Sequence, residues 1–188
     1  GIPALQLPQD LFTMQEIIFK TKPQVIVELG VAWGGTTMFF ESFHKGDIIG
    51  VDLQIPDHLR DATAFKGNVR FLIGDSVMSS SVVKKYVGDR SCMVIVDSMH
   101  THEHVLAELN AFSNIVTPGC YMVVCDTLVD DPRYHEDGGA RNRPWGPGNS
   151  PRSALNQFLS ENPDFQRDEN IQNKLLFSCQ PDGYIYKK

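Results

Sequence analysis

Residues 24–40 read Gln-Val-Ile-Val-Glu-Leu-Gly-Val-Ala-Trp-Gly-Gly-Thr-Thr-Met-Phe-Phe, and they constrain the fold more than any other stretch. Val25, Ile26 and Val27 are three consecutive β-branched residues after Lys22-Pro23, the pattern of a strand covered on both faces. Glu28 ends that run. Gly30, Gly34 and Gly35 open a turn, and a helix is predicted from about Thr36. A buried strand, a glycine-rich turn and a helix make the ligand-binding end of an open α/β sheet. The dinucleotide spacing G-x-G-x-x-G is absent, because Glu28 holds its first position and the later glycines fall at 34 and 35. A tight strand-to-helix turn without a ligand is the competing reading, since short glycine motifs have many false positives.

At 188 residues the chain is expected to be a single domain, 1–188, large enough to bury a substantial core. The net charge of −6 comes without any basic block, so nothing points to a nucleic-acid partner. Cys92, Cys120, Cys125 and Cys179 form no C-x-x-C pair, and three of them sit in apolar runs. Buried, reduced thiols in a cytoplasmic protein are the expectation. No apolar run approaches membrane-spanning length and no signal peptide is visible, so no membrane partner is expected. The chain does not begin with Met, which leaves an upstream segment open.

In chain order, residues 1–22 read as an extended arm followed by a helix, with Asp10 as its cap and Leu11, Met14, Ile17 and Ile18 on one face. After the glycine turn, strands are predicted at 47–51, 69–73, 91–96 and 120–124. Helices are predicted at about 56–66, 79–87, 101–114 and 153–162. Residues 128–151 are long, polar and rich in Gly, Pro, Asp and Arg, which predicts a lid-like loop. Residues 174–179 and 184–187 read as two strands joined by Gln180-Pro-Asp-Gly183, a hairpin signal.

Ligands of open α/β sheets bind beyond the carboxyl ends of the strands. Glu28, Asp52, Asp75, Asp97 and Asp126 end or follow the five predicted parallel strands, denser than capping alone requires. Asp52, after the second strand, is placed for a ribose hydroxyl pair. Asp75 either meets an adenine amino group or, like Ser76, caps the next helix. Asp97 and Asp126 either hold Mg²⁺ as hard oxygen ligands or serve as a cap and a turn residue. His100, His102 and His104 follow Asp97. His102 is off the face that His100 and His104 could share, and no cysteine spacing supports zinc. His100 is therefore read as a general base, and His102 and His104 as helix-start or surface residues.

Glu28-x-Gly30-x-x-x-Gly34-Gly35 resembles the S-adenosylmethionine loop of class I methyltransferases. Pro8-Gln-Asp-Leu11, Gln15-Glu-Ile-Ile18, Asp97-Ser-Met-His-Thr-His102, Thr117-Pro-Gly119, Arg143-Pro-Trp-Gly-Pro-Gly-Asn-Ser-Pro151, Asn173-Lys-Leu-Leu176 and Pro181-Asp-Gly-Tyr184 extend the likeness over nearly the whole chain. Together they resemble the cephalosporin hydroxylase family, which includes rhamnosyl O-methyltransferase-like proteins. The resemblance implies a Rossmann-like class I methyltransferase, with a mostly parallel seven-stranded sheet, a C-terminal antiparallel hairpin and helices on both faces. It implies a metal-dependent O-methyltransferase that moves the methyl of S-adenosylmethionine to a hydroxyl of a small natural product or sugar. Glu28, Gly30, Gly34, Asp52, Asp75, Ser76 and Asp97 then serve the cofactor, and Asp97 and Asp126 hold Mg²⁺ or another divalent cation. His100 becomes the base, while Arg143 and Trp145 face the acceptor. The family has Glu-Asp after the fifth strand where this chain has Cys125-Asp126, and a thiol is a poor Mg²⁺ ligand. Two rivals are a non-catalytic S-adenosylmethionine-binding module and a hydroxylase, as the family name has it. The apolar N-terminal arm leaves a homo-oligomer open.

Overall fold

The computed structural model describes residues 1–60, 65, 67–135 and 142–188. Helix α1 (Pro8–Thr21) leads into β1 (Val25–Leu29), α2 (Gly35–Phe43), β2 (Asp47–Asp52), α3 (Asp57–Arg60), β3 (Val69–Ile73) and α4 (Ser76–Val87). Then come β4 (Cys92–Val96), α5 (His102–Phe112), β5 (Tyr121–Val124), α6 (Pro151–Glu161), β6 (Phe165–Arg167), α7 (Glu169–Lys174) and β7 (Tyr184–Lys187). The seven strands form one sheet in the order β3-β2-β1-β4-β5-β7-β6. The first five are mutually parallel, and β7 runs antiparallel to both β5 and β6. The chain steps outward from β1 to β3 and then returns to β4 beside β1. That reversal leaves a crevice at the carboxyl ends of β1 and β4.

Alternation along the strands explains why both faces are covered. Val25, Val27 and Leu29 of β1 pack with Val83, Leu109 and Phe158 of α4, α5 and α6. Ile26, between them, packs on the opposite face with Met14, Ile17 and Phe40 of α1 and α2. All four cysteines are free, and Cys92, Cys120 and Cys125 are buried. No helix among the described residues is long and apolar enough to cross a membrane.

Several elements depart from the expectations. Asp10 is not the cap of α1, because Leu7 holds that place and the helix starts at Pro8. Asp10 is instead fully buried, accepting from Ser178 Oγ (2.6 Å), Cys179 N (2.9 Å) and Tyr184 Oη (2.8 Å). Residues 174–179 are not a strand. The antiparallel partner of β7 is β6, three residues whose Gln166 and Arg167 conceal any apolar alternation. Residues 180–183 do form the expected turn, with Gly183 N on Gln180 O at 2.9 Å, but it follows α7 rather than a strand. Helices α4 and α6 begin earlier than predicted, at Ser76 and Pro151, and α5 ends at Phe112. Of the helix expected over 56–66, Asp57–Arg60 is helical and residues 61–64 and 66 lie outside the described residues.

Candidate functional site

Two cavities meet at the crevice. One, of about 460 Å³, is lined by Glu28, Thr36, His100 and Asp126, with Pro3 and Leu5 of the N-terminal arm on its wall. The other, of about 470 Å³, runs past Asp52, Asp75, Ser76, Met99 and His104. They share Gly30, Asp97, Arg143 and Trp145. The result is one elongated cleft with an acidic end and a more apolar end.

Gly30 makes the junction possible. Its φ is +90°, and a Cβ there would stand 2.1 Å from the carbonyl oxygen of Asp97. Only glycine lets the ends of β1 and β4 approach this closely. Gly34 forms the N-cap of α2. Asp52 closes over the turn, with Oδ2 accepting from Val31 N (2.8 Å) and Ala32 N (3.0 Å) and Oδ1 from Gln54 N (3.2 Å). Oδ1 thus has one donor and keeps a lone pair for a ligand hydroxyl. Asp75 is the N-cap of α4, accepting from Met78 N at 2.9 Å, while its side chain also lines the second cavity.

Glu28 is buried and accepts a short hydrogen bond from Thr37 Oγ1. Burial, with the charges of Asp97 and Asp52, lifts its pKa to about 8 against that hydrogen bond. A carboxyl so placed is available to a cationic group entering the cleft.

The strand ends bring three of the predicted residues together. One ligand atom each from Asp97, His100 and Asp126 lie within 4.8 Å of one another. His100 Nε2 stands 3.4 Å from Asp97 Oδ1 and 3.2 Å from Asp126 Oδ2. Both ring nitrogens are buried, and neither makes a well-formed hydrogen bond. Burial opposes the charge on His100, but the flanking Asp126 and Asp97 carboxylates outweigh it and hold the pKa at about 9. Asp126 reaches the cluster from a left-handed backbone, φ 52°, immediately after β5. Asp tolerates that conformation better than most residues. Cys125 is not brought in: its side chain is fully buried in the core, with Gln180 Nε2 3.8 Å from the sulfur.

Trp145 and Arg143 line both cavities beside the cluster. The rings of Trp145 and His100 meet edge-on at 4.9 Å, and the Arg143 guanidinium lies 5.3 Å over the Trp145 ring. Asp130 pins the return of this segment, accepting from Gly148 N (2.9 Å) and Ser150 Oγ (2.7 Å). Residues 136–141 of the expected lid lie outside the described residues.

The sequence reading missed several partners. His104 lies in the first turn of α5, as expected, but it also lines the second cavity, with Nε2 3.2 Å from Ser76 Oγ and 3.3 Å from Glu108 Oε1. Glu108 is fully buried and also accepts from Ser98 Oγ at 2.6 Å. The signal available was the His104–Glu108 spacing of four on one helix, which puts both on one face. His102 does start α5, and its ring bonds to Ser153 (2.8 Å) and Gln157 (3.0 Å) of α6.

This strand order, the antiparallel last strand and a cleft at the β1–β4 switch point define the Rossmann-like class I methyltransferase fold. The chain belongs to the Rhamnosyl O-methyltransferase/CmcI family, whose model matches residues 1–188, and is an S-adenosylmethionine-dependent O-methyltransferase. It is 26% identical over 202 residues to the rhamnosyl O-methyltransferase of Mycobacterium leprae (strain TN), covering 100% of this chain and 82% of that one. Among solved structures, cmcI-N160 with SAH aligns with a TM-score of 0.61 at 16% identity, covering 100% of this chain and 79% of that chain. The MycE methyltransferase of mycinamycin biosynthesis, in complex with Mg and SAH, aligns with a TM-score of 0.57 at 21% identity, over 79% of this chain and 41% of that one. At these identities the solved structures establish the fold.

Proposed function

We propose that the protein methylates a hydroxyl of a sugar or small natural product with the aid of a divalent cation, Mg²⁺ being the best fit. The observation that carries this reading is the convergence of Asp97, Asp126 and His100 at the head of the cleft. Two carboxylates converging on one point need positive charge between them; the His100 imidazolium supplies it in the free protein, and a bound cation would take that place when His100 acts as a base. Their hard oxygens suit Mg²⁺, and Cys125, buried in the core, is not among the converging ligands. The name of the M. leprae relative and the Mg in the MycE complex support the same reading. The opposite composition, two imidazoles and one carboxylate, is what an iron hydroxylase would need.

When bound, the cation supplies Lewis-acid polarisation of the acceptor oxygens, and S-adenosylmethionine supplies an electrophilic methyl group. Glu28 pairs with the cofactor's ammonium, Asp52 Oδ1 takes a ribose hydroxyl, and Asp75 and Ser76 border the adenine end. Gly30 and Gly34 let the backbone approach the cofactor, and Asp97 borders it between the two cavities. His100 Nε2 takes the proton of the acceptor hydroxyl. With a divalent cation held by Asp97 and Asp126, their charge would no longer stabilise the imidazolium, and the neutral ring would be free to take that proton. Arg143 and Trp145 form the acceptor's cover. A second reading, His100 as a third metal ligand, rests on the same 4.8 Å cluster.

The deciding experiment is methyl transfer to a panel of glycosides and polyols, with and without chelator. Activity is expected to vanish with EDTA and return with Mg²⁺. Full activity under chelator would reject the cation, and cofactor binding without turnover on any acceptor would favour a non-catalytic module. Trp145→Ala is expected to raise the acceptor KM about 2- to 10-fold, the worth of one aromatic contact, with a smaller change in cofactor Kd. Equal changes in both would remove Trp145 from the acceptor side.

A further inference from the structure

The N-terminal arm forms part of the cleft wall, and glycine makes its seat. A Cβ on Gly35 would stand 2.1 Å from the carbonyl oxygen of Pro3, so the arm lies directly on the first turn of α2. Three residues later Gln6 reaches the cluster, its Nε2 donating to Asp97 Oδ2 at 2.8 Å. The other end of the same amide, Oε1, accepts from Gln180 Nε2 at 2.9 Å. Gln180 is fully buried, and its Nε2 also points at Cys125 Sγ, 3.8 Å away.

The direction of this chain follows from an ionised Asp97. An ionised carboxylate only accepts, so Gln6 turns its NH₂ to Asp97. Its carbonyl, which also only accepts, then needs a donor, and Gln180 supplies one. The second N–H of Gln180 is left facing the sulfur. Carboxylate, amide, amide and thiol thus form one oriented line from the site into the core. Its effect on Asp97 is specific: Oδ2 is engaged by the arm, while Oδ1 is the oxygen turned to His100.

We propose that Gln6, backed by Gln180, is a positioning residue for the metal ligand Asp97: it holds Oδ2 so that Oδ1 is presented to the cation. This rests on the divalent-cation reading given above. Groups that orient a ligand from behind govern metal affinity without touching the metal. The line ends at Cys125, the position that offers no ligand of its own, so Asp97 carries more of the binding and its orientation matters more.

The test is direct Mn²⁺ binding, read from the spin-resonance signal of free aquo Mn²⁺, on wild type, Gln6→Met, Gln180→Met and the double variant. Methionine keeps the length of each side chain and removes the amide. S-adenosylhomocysteine affinity is measured calorimetrically on the same samples. Gln6→Met is expected to weaken Mn²⁺ binding about 10-fold, the scale of lost ligand orientation. Its S-adenosylhomocysteine affinity should stay within about twofold, and the double variant should bind Mn²⁺ no more weakly than Gln6→Met within the same margin, since Gln180 acts through Gln6. Wild type binding no Mn²⁺ would overturn the cation reading and this inference together. Wild type binding Mn²⁺ while Gln6→Met binds it equally well would overturn the inference alone. Parallel losses of Mn²⁺ and S-adenosylhomocysteine would reduce Gln6 to a structural contact. Gln6 lies on the half-buried arm, so its variant decides the matter even if Gln180→Met does not fold.

Discussion

His100→Ala is expected to lower methyl transfer by about 10²- to 10⁴-fold, the range spanned by a positioned proton acceptor. The ring sits between Asp97 and Asp126, 3.4 Å and 3.2 Å from their nearest oxygens, with the Trp145 ring edge-on at 4.9 Å. His135 lines the same cavity, but its Nε2 is bonded to the Val129 carbonyl at 2.8 Å, so His100 is the imidazole that meets the two aspartates. The loss should shrink for acceptors with more acidic hydroxyls, because those need less help to ionise. Asp97→Ala and Asp126→Ala are each expected to remove most turnover while leaving the fold intact. Mn²⁺ titration separates the two roles open to His100. As a base it leaves cation affinity unchanged on substitution; as a third ligand it takes affinity down with activity. A rate loss equal for acidic and ordinary hydroxyls, with Mn²⁺ affinity also reduced, would move His100 from base to ligand.

What the sequence made legible was what short-range pattern encodes. The run Val25-Ile-Val27 reads as a strand buried on both faces and is one, and Glu28, Asp52, Asp75, Asp97 and Asp126 fall at or just after strand ends in the structure. Because β4 and β5 are adjacent and parallel, residues just past their ends converge, and His100 follows Asp97 closely enough to join them. Long-range pairings were not legible. Asp10 looked like a cap because Asp near a helix start usually is one. Its burial depends on Ser178 and Tyr184, more than 160 residues away in the chain. Gln6 and Gln180 carry no periodic signal and acquire meaning only when the arm and the final turn meet. Strand β6 escaped for a related reason: it is three residues long, its middle residue is exposed Gln166, and β7 rather than local propensity holds it in place.

Glu28→Gln is expected to weaken S-adenosylmethionine by about 1–3 kcal/mol, the worth of a charge-assisted hydrogen bond, and to change how binding depends on pH. Glu28 is buried beside Thr37, and its pKa of about 8 means that the free protein holds it mostly protonated at pH 7. Pairing with the cofactor's ammonium requires the carboxylate, so binding near pH 7 should release close to one proton. Affinity should therefore fall as pH drops below about 8. Calorimetry in two buffers with different heats of ionisation reads the proton directly. The same group fixes a sign for stability. A folded-state pKa raised from 4.5 to about 8 means that the native protein holds a proton the unfolded chain has lost across that window. Stability from this group is thus full below pH 4.5 and falls as pH rises toward 8, by at most about 1.4 kcal/mol per pH unit. Glutamine cannot ionise, so Glu28→Gln should flatten that slope and abolish the proton release together. If wild type released no proton and the variant bound as tightly, the buried carboxyl would be a structural partner of Thr37 and the ammonium would have to be held elsewhere in the cleft.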